Sequence, residues 1–329
     1  MTVDEDAVTT ADEDATTAER SPDEHVARGE QRQSNDSRGV STVVDAALCL
    51  LVIGAAVATL VYAPVLDENR GDDPAPPAGE HLVIVGGTTA TVNYSLAPAA
   101  RDSMESPPSN ATIDALERTD HGTLAELLAR SAVKSATAED VRLSKASSEY
   151  ENAVVDEVTE ADRSDRNVQI EARWEPYPDA HLSGRVVAGD DPPPNVDTSV
   201  ATMTVASGID PVSEEAADAG DRDGFDGVAA VVAAAVVEGL YPPDRIAEER
   251  RSHEPLPTIA DRRYERAADR YGVNARPEEH GIGGANERLA EGVESAIAAD
   301  LRASFDDPGA AANATAPETV EIVVRTWSA

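Results

Sequence analysis

The sequence predicts an α+β fold: a mixed helix and sheet domain that follows a single N-terminal transmembrane helix. Three observations carry that expectation. The run from Ala46 to Leu66 holds no charge and is long enough to cross a bilayer. Short runs with alternating apolar and polar residues recur beyond residue 160 and read as strands. Before and after them, apolar residues fall at the three- and four-residue spacing of helices with one buried face.

The apolar run reads AALCLLVIGAAVATLVYAPVL, and the transmembrane helix is placed at 43–66. About twenty helical residues span about 30 Å, the thickness of the hydrocarbon core. A buried helix of a soluble domain would rarely be this pure, or exit at once into Asp67-Glu68-Asn69-Arg70. Arg28, Arg32 and Arg38 precede the run, whereas Asp67, Glu68, Asp72 and Asp73 follow it around a single Arg70. That bias places the N-terminus in the cytoplasm and the long C-terminal part outside the cell membrane. Tyr62 stands where an outer interfacial aromatic belongs. A cleaved signal peptide would have a shorter apolar core, and Tyr62-Ala63-Pro64-Val65-Leu66 is a poor cleavage context. Cys49, the one cysteine, lies within the run, so no intrachain disulfide forms.

The residues just before the span, Ser37-Arg38-Gly39-Val40-Ser41-Thr42-Val43-Val44-Asp45, resemble the leader junction of type IV pilin-like proteins. The resemblance covers about thirty residues. It implies that a prepilin-type peptidase cuts between Gly39 and Val40, and that Asp45 is the acidic residue of the helix. A carboxylate in the first turns of a membrane helix is costly unless paired. In pilin-like assemblies it meets the new N-terminal ammonium of a neighbouring subunit. Two departures stand: the acidic residue is sixth after the cut rather than fifth, and the leader is long. A plain signal-anchor, with Asp45 marking the cytoplasmic boundary, is the other reading. The layout also resembles uncharacterised pilin-like membrane proteins of haloarchaea, some associated with Tad-like secretion machinery.

Composition agrees with that setting. There are 63 acidic against 27 basic residues, a formal net charge of -36. Lys134 and Lys145 are the two lysines, and the other basic residues are arginines. The pattern resembles haloarchaeal proteins, whose acidic surfaces are screened in molar salt. So acidic a chain does not bind nucleic acid by phosphate neutralisation. Disorder is expected for residues 1–39, an acidic cytoplasmic tail or leader, but not for a chain that is 41% hydrophobic overall.

Beyond the anchor, 67–80 reads as a Pro-rich spacer and 81–329 as the exterior domain, with a possible boundary near 208–224. His81 to Leu96 predicts a hairpin around Gly86-Gly87. Helices are expected at 123–134 and 150–158, strands at 167–174, 183–188 and 199–206, and a linker at 208–224. Helices follow at 225–240, 244–251, 258–271 and 285–304, and a last strand, Thr319 to Trp327, returns to the earlier sheet.

No site chemistry stands out. The six histidines lack metal-ligand spacing, so no metal and no cofactor is expected. His280-Gly281-Ile282-Gly283-Gly284 lacks the ending of a phosphate loop and reads as a turn. Asn93, Asn110 and Asn313 begin N-x-[ST] sequons on the exterior side and are possible glycosylation sites. The stretch Arg245 to Arg270 holds seven arginines against six acidic residues, an almost neutral island. It is either a salt-bridged helical pair or a contact surface for an acidic neighbour. The expected role is a non-catalytic pilin-like subunit or accessory protein, with the bilayer and other pilin-like subunits as partners. A signal-anchored domain for an envelope ligand is the alternative, and an extracytoplasmic enzyme ranks last.

Overall fold

Ala78, His81, Leu82 and Val85 share one stripe at helical spacing, and α1 (Ala78–Gly87) buries all four. The computed structural model describes residues 77–104, 109, 113–139, 141–162 and 167–328. The leader junction with Gly39, Val40 and Asp45, the expected span at 43–66, and Asn110 lie outside the described residues.

α1 corrects the hairpin expected around Gly86-Gly87. Leu-Val-Ile-Val favours a strand by propensity, but the buried spacing is that of a helix, and packing decides. The chain then enters β1 (Thr89–Ser95), whose antiparallel partner is the distant β2 (Glu117–Thr123), with Thr89 opposite Thr123. Between them α2 (Ala97–Ser103) buries Ala97, Ala99 and Ala100. β2 reads ERTDHGT, too polar to announce itself as a strand.

Thr123 begins α3 (Leu124–Lys134) through a capping box. Its hydroxyl accepts from the Glu126 amide at 3.2 Å, and its own amide donates to Glu126 Oε2 at 2.9 Å. α3 buries Leu124, Leu127, Leu128 and Ala132. A small hairpin of β3 (Thr137–Ala138) and β4 (Val141–Arg142) leads through a 3-10 turn to α4 (Ser148–Ala161).

The strands expected at 167–174, 183–188 and 199–206 are β5 (Val168–Trp174), β6 (Leu182–Gly189) and β7 (Thr198–Ala206). The C-terminal β8 (Thr319–Trp327) inserts between β5 and β7, with Ile322 opposite both Ala172 and Met203. The sheet runs β4-β3-β6-β5-β8-β7, antiparallel throughout. Ile170, Ala172, Trp174, Val186 and Ile322 line its apolar face and are buried. α3 lies directly on that face, and α1 lies over β7 and β8. Trp174 donates its indole N–H to the Pro317 carbonyl at 2.9 Å, so its one polar atom is satisfied.

The C-terminal half adds α5 (Ser213–Leu240), α6 (Pro243–Arg251), α7 (Leu256–Tyr271), α8 (Pro277–Ser304) and α9 (Pro308–Ala314). The linker expected at 208–224 is corrected here, because α5 is helical from Ser213 and breaks at Gly224, which sits at φ 68°. Ala216, Ala219 and Gly220 are buried where Pro308 of α9 closes on the helix. Small residues that suggested a linker serve close packing instead. A similar break at Gly281 (φ 71°) marks the turn expected there, with α8 resuming after it.

Among the described residues, one helix is long and apolar enough to cross a membrane, the stretch Ser213–Arg251 in mid-chain. Its valines, Val228, Val232, Val236 and Val237, are at most 3% exposed inside the protein. They join the same core as Ala78 and Val324, and α8 and α9 pack against this helix.

Candidate functional site

Arg130 and Lys134 stand four residues apart and share one face of α3. β2 brings Asp120 to that face. Arg130 Nη1 lies 3.3 Å from Asp120 Oδ1, and Lys134 Nζ lies 4.0 Å from Asp120 Oδ2. From the start of α4, the Tyr150 hydroxyl donates to Asp120 Oδ2 at 2.8 Å. The Lys134 ammonium sits 3.7 Å above the Tyr150 ring centre, a cation–π contact, and Tyr94 of β1 meets Tyr150 edge-on at 5.0 Å. α6 and α7 then bring Arg245 and Arg263 within electrostatic reach of Lys134. Glu249 spans those two arginines, 3.4 Å from Arg245 Nε and 3.6 Å from Arg263 Nη1.

The result is a cationic cluster in a chain of net charge -36. Burial, and then the Arg245 guanidinium, push Lys134 down from its ordinary 10.5 to about 8. Arg130 and Arg263 push the same way, and Asp120 opposes them. Burial raises Asp120, but the Tyr150 hydroxyl, Arg130 and Lys134 outweigh it and hold the carboxyl low. Burial, with Asp120 beside it, pushes Tyr150 well above the usual phenol range. Arg130 Nε and Arg263 Nε are buried and have no hydrogen-bond partner among the described residues. Strong perturbation of a lysine among specific charged partners is a mark of functional sites.

These shifts give stability a readable pH dependence. Between about pH 8 and 10 the unfolded chain holds the Lys134 proton that the folded chain has released, so stability rises with pH. Tyr94, Tyr150, Tyr177, Tyr264 and Tyr271 are raised by burial, so above about pH 10 the unfolded state alone ionises them and stability falls. The unfolding free energy read from urea titrations is expected to climb by about 1–2 kcal/mol from about pH 7.5 to 9.5 and then drop. Lys134→Met should flatten the climb and leave the drop. An unchanged profile in that variant would place the titration elsewhere.

The arginine island follows its salt-bridged reading. Arg250 pairs with Asp261, Arg262 with Glu265 at 2.6 Å, Arg266 with Asp102 at 3.5 Å and Arg270 with Glu139 at 2.5 Å. These pairs tie α7 to α6, to α2 and to the β3–β4 turn. Arg245 and Arg263 of the island share Glu249 and lie toward Lys134, where the cation excess collects.

Three other polar clusters have internal roles. His81 Nδ1 lies 2.7 Å from Asp162 Oδ1, which ties buried α1 to the end of α4. Asp300 of α8 accepts from the Tyr177 hydroxyl and the His181 amide and lies 2.6 Å from His181 Nδ1, fixing the turn after β5. On the polar face of the sheet, Glu171 is held low because Arg185 and Arg325 outweigh its burial. Among the described residues no group of three or more His, Cys, Asp or Glu could hold a metal ion.

Of the sequons, Asn93 is exposed on β1 and its side-chain oxygen accepts from Thr119 Oγ1 at 2.8 Å. Asn313 is exposed on α9, while the Thr315 hydroxyl of its sequon is buried and donates to the Ala312 carbonyl. The Lys134 cluster was not legible beforehand. Its members run from Tyr94 to Arg263, and only the Arg130–Lys134 spacing and the rarity of lysine hinted at it.

No curated protein and no solved structure matches the chain. A family model does match, from residue 44 to residue 327, a stretch that takes in the apolar run and every strand and helix above. On that match the chain belongs to a family of unknown function, DUF7284.

Proposed function

We propose that the chain is a non-catalytic, membrane-anchored subunit or accessory protein of a pilin-like surface or secretion assembly. The observation that carries this reading is the order Arg38-Gly39-Val40, Asp45, then an uncharged run to Leu66 and a Pro-rich spacer. The helix would hold the chain in the cell membrane with its N-terminus in the cytoplasm and the α+β domain outside. Asp45 would pair with the Val40 ammonium of a neighbouring subunit, since a lone carboxylate in a membrane helix is costly. The acid excess fits a surface that works in concentrated salt, as in haloarchaea.

A second reading, a signal-anchored exterior domain that binds an envelope ligand, is favoured by the cationic cluster around Lys134. The N-terminal sequence and intact mass of the chain from native membranes separate the two. A start at Val40 supports the pilin-like route. An intact leader overturns that route and leaves the signal-anchor. A start beyond Ala63 overturns both, because the apolar run would then be a cleaved signal.

A further inference from the structure

We infer that the cluster of Lys134, Arg130, Arg245 and Arg263 is a binding site for a small oxyanion of the phosphate class. The inference goes beyond the anchoring route and stands or falls independently of how the N-terminus is processed.

Charge balance is the first ground. Four cations face two carboxylates, Asp120 and Glu249, which leaves two positive charges uncompensated. A dianion matches that remainder. The neighbouring charged groups do not alter the remainder, because the Arg118 cation and the Glu126 carboxylate, which closes the cap of α3, offset one another. Arg250, Arg262, Arg266 and Arg270, by contrast, are each matched to a carboxylate.

Geometry is the second. The donors come from three helices, with Lys134 and Arg130 of α3 gathered on Asp120 and Arg245 of α6 and Arg263 of α7 gathered on Glu249. Such a set suits a tetrahedral group better than one planar carboxylate, and arginine forks match phosphoryl oxygens two at a time. Asp120 and Tyr150 hold Lys134 and Arg130 from the protein side, so their outward faces need little reordering on binding.

Access is the third. The Lys134 side chain is 28% exposed, Arg130 36%, Arg245 56% and Arg263 20%. The site is therefore open to solvent yet partly desolvated, the setting in which charge-assisted hydrogen bonds gain most. Arg130 Nη2 donates to the His121 carbonyl and Arg263 Nη2 to the Leu240 carbonyl, each at 2.9 Å, which fixes both guanidiniums at the edge of the site. The depressed lysine accords with a site whose cations await an anion.

The chain has two lysines, so selective lysine labelling of the detergent-solubilised full chain reads Lys134 directly by NMR. At constant ionic strength, inorganic phosphate is expected to shift the Lys134 Nζ signal saturably and to raise its titration midpoint by about one unit. Chloride should do neither. Arg245→Gln, at the most exposed of the four positions, should weaken phosphate at least about tenfold without unfolding the domain, which the lysine spectrum itself reports. Phosphatidylglycerol vesicles that compete with phosphate would assign the group to a lipid headgroup; vesicles without effect would assign it to free phosphate or a soluble phosphate ester. Equal responses to chloride and phosphate, no saturable response, or tighter binding of malonate than of phosphate would each overturn the inference.

Discussion

Gly184→Ala is expected to destabilise the domain by about 3 kcal/mol, at the upper end of overpacking costs. A Cβ at Gly184 would stand 1.9 Å from the Ala132 carbonyl oxygen and 2.8 Å from its carbon. Both are backbone atoms of α3, so no side chain can rotate away. Relief requires lifting α3 from β6, which opens the apolar face that Trp174 and Ile170 share with Leu127 and Leu128. For a domain of this size, the melting temperature should fall by about 6–12 °C. Gly79→Ala is the matched control. Nothing lies within 4 Å of its added methyl group, and it falls in the first turn of α1. That change should be neutral or stabilising by about 0.5 kcal/mol. Equal melting temperatures for the two variants would show that α3 does not rest on β6 as described.

Asp120→Ala is expected to cost about 2–3 kcal/mol at neutral pH. The carboxylate receives the Tyr150 hydroxyl and faces both Arg130 and Lys134. Without it, the Tyr150 hydroxyl loses its partner, and four cations retain Glu249 alone. Lys134 should then titrate below its present value of about 8. Because the folded state holds Asp120 low, the parent loses this contribution as the pH falls below about 4, and the variant should show a shallower acid limb. Chemical denaturation at pH 7 and pH 3 measures both effects. Phosphate provides a link between the predictions. A bound anion stabilises by mass action, and it should restore more stability to Asp120→Ala than to the parent, since the variant has one more uncompensated cation.

Much of the architecture was legible residue by residue. Thr123 and Glu126, three apart ahead of a leucine-rich stripe, mark the start of α3. Alternation marks β5, β6 and β7, and β8 was placed at its observed ends from the same signal. The misses share one cause. His81 to Val85 has strand composition at helix spacing, and the decision fell to the apolar floor of β7 and β8 beneath it. Residues 213–223 look like a linker because they are small and acidic. They are helical because Ala216 and Gly220 let α9 approach.

By itself the sequence determined the apolar run ahead of an acidic α+β domain, because charge and apolar periodicity are local properties that burial must respect. Only the tertiary structure decided where positive charge collects. Tyr94, Asp120, Lys134, Tyr150, Arg245 and Arg263 come from six different elements, and each is unremarkable where it stands. Their meeting depends on α6 and α7 bringing Arg245 and Arg263 within electrostatic reach of Lys134. Once they meet, partial loss of water strengthens every interaction among them, and an ordinary lysine becomes a perturbed one.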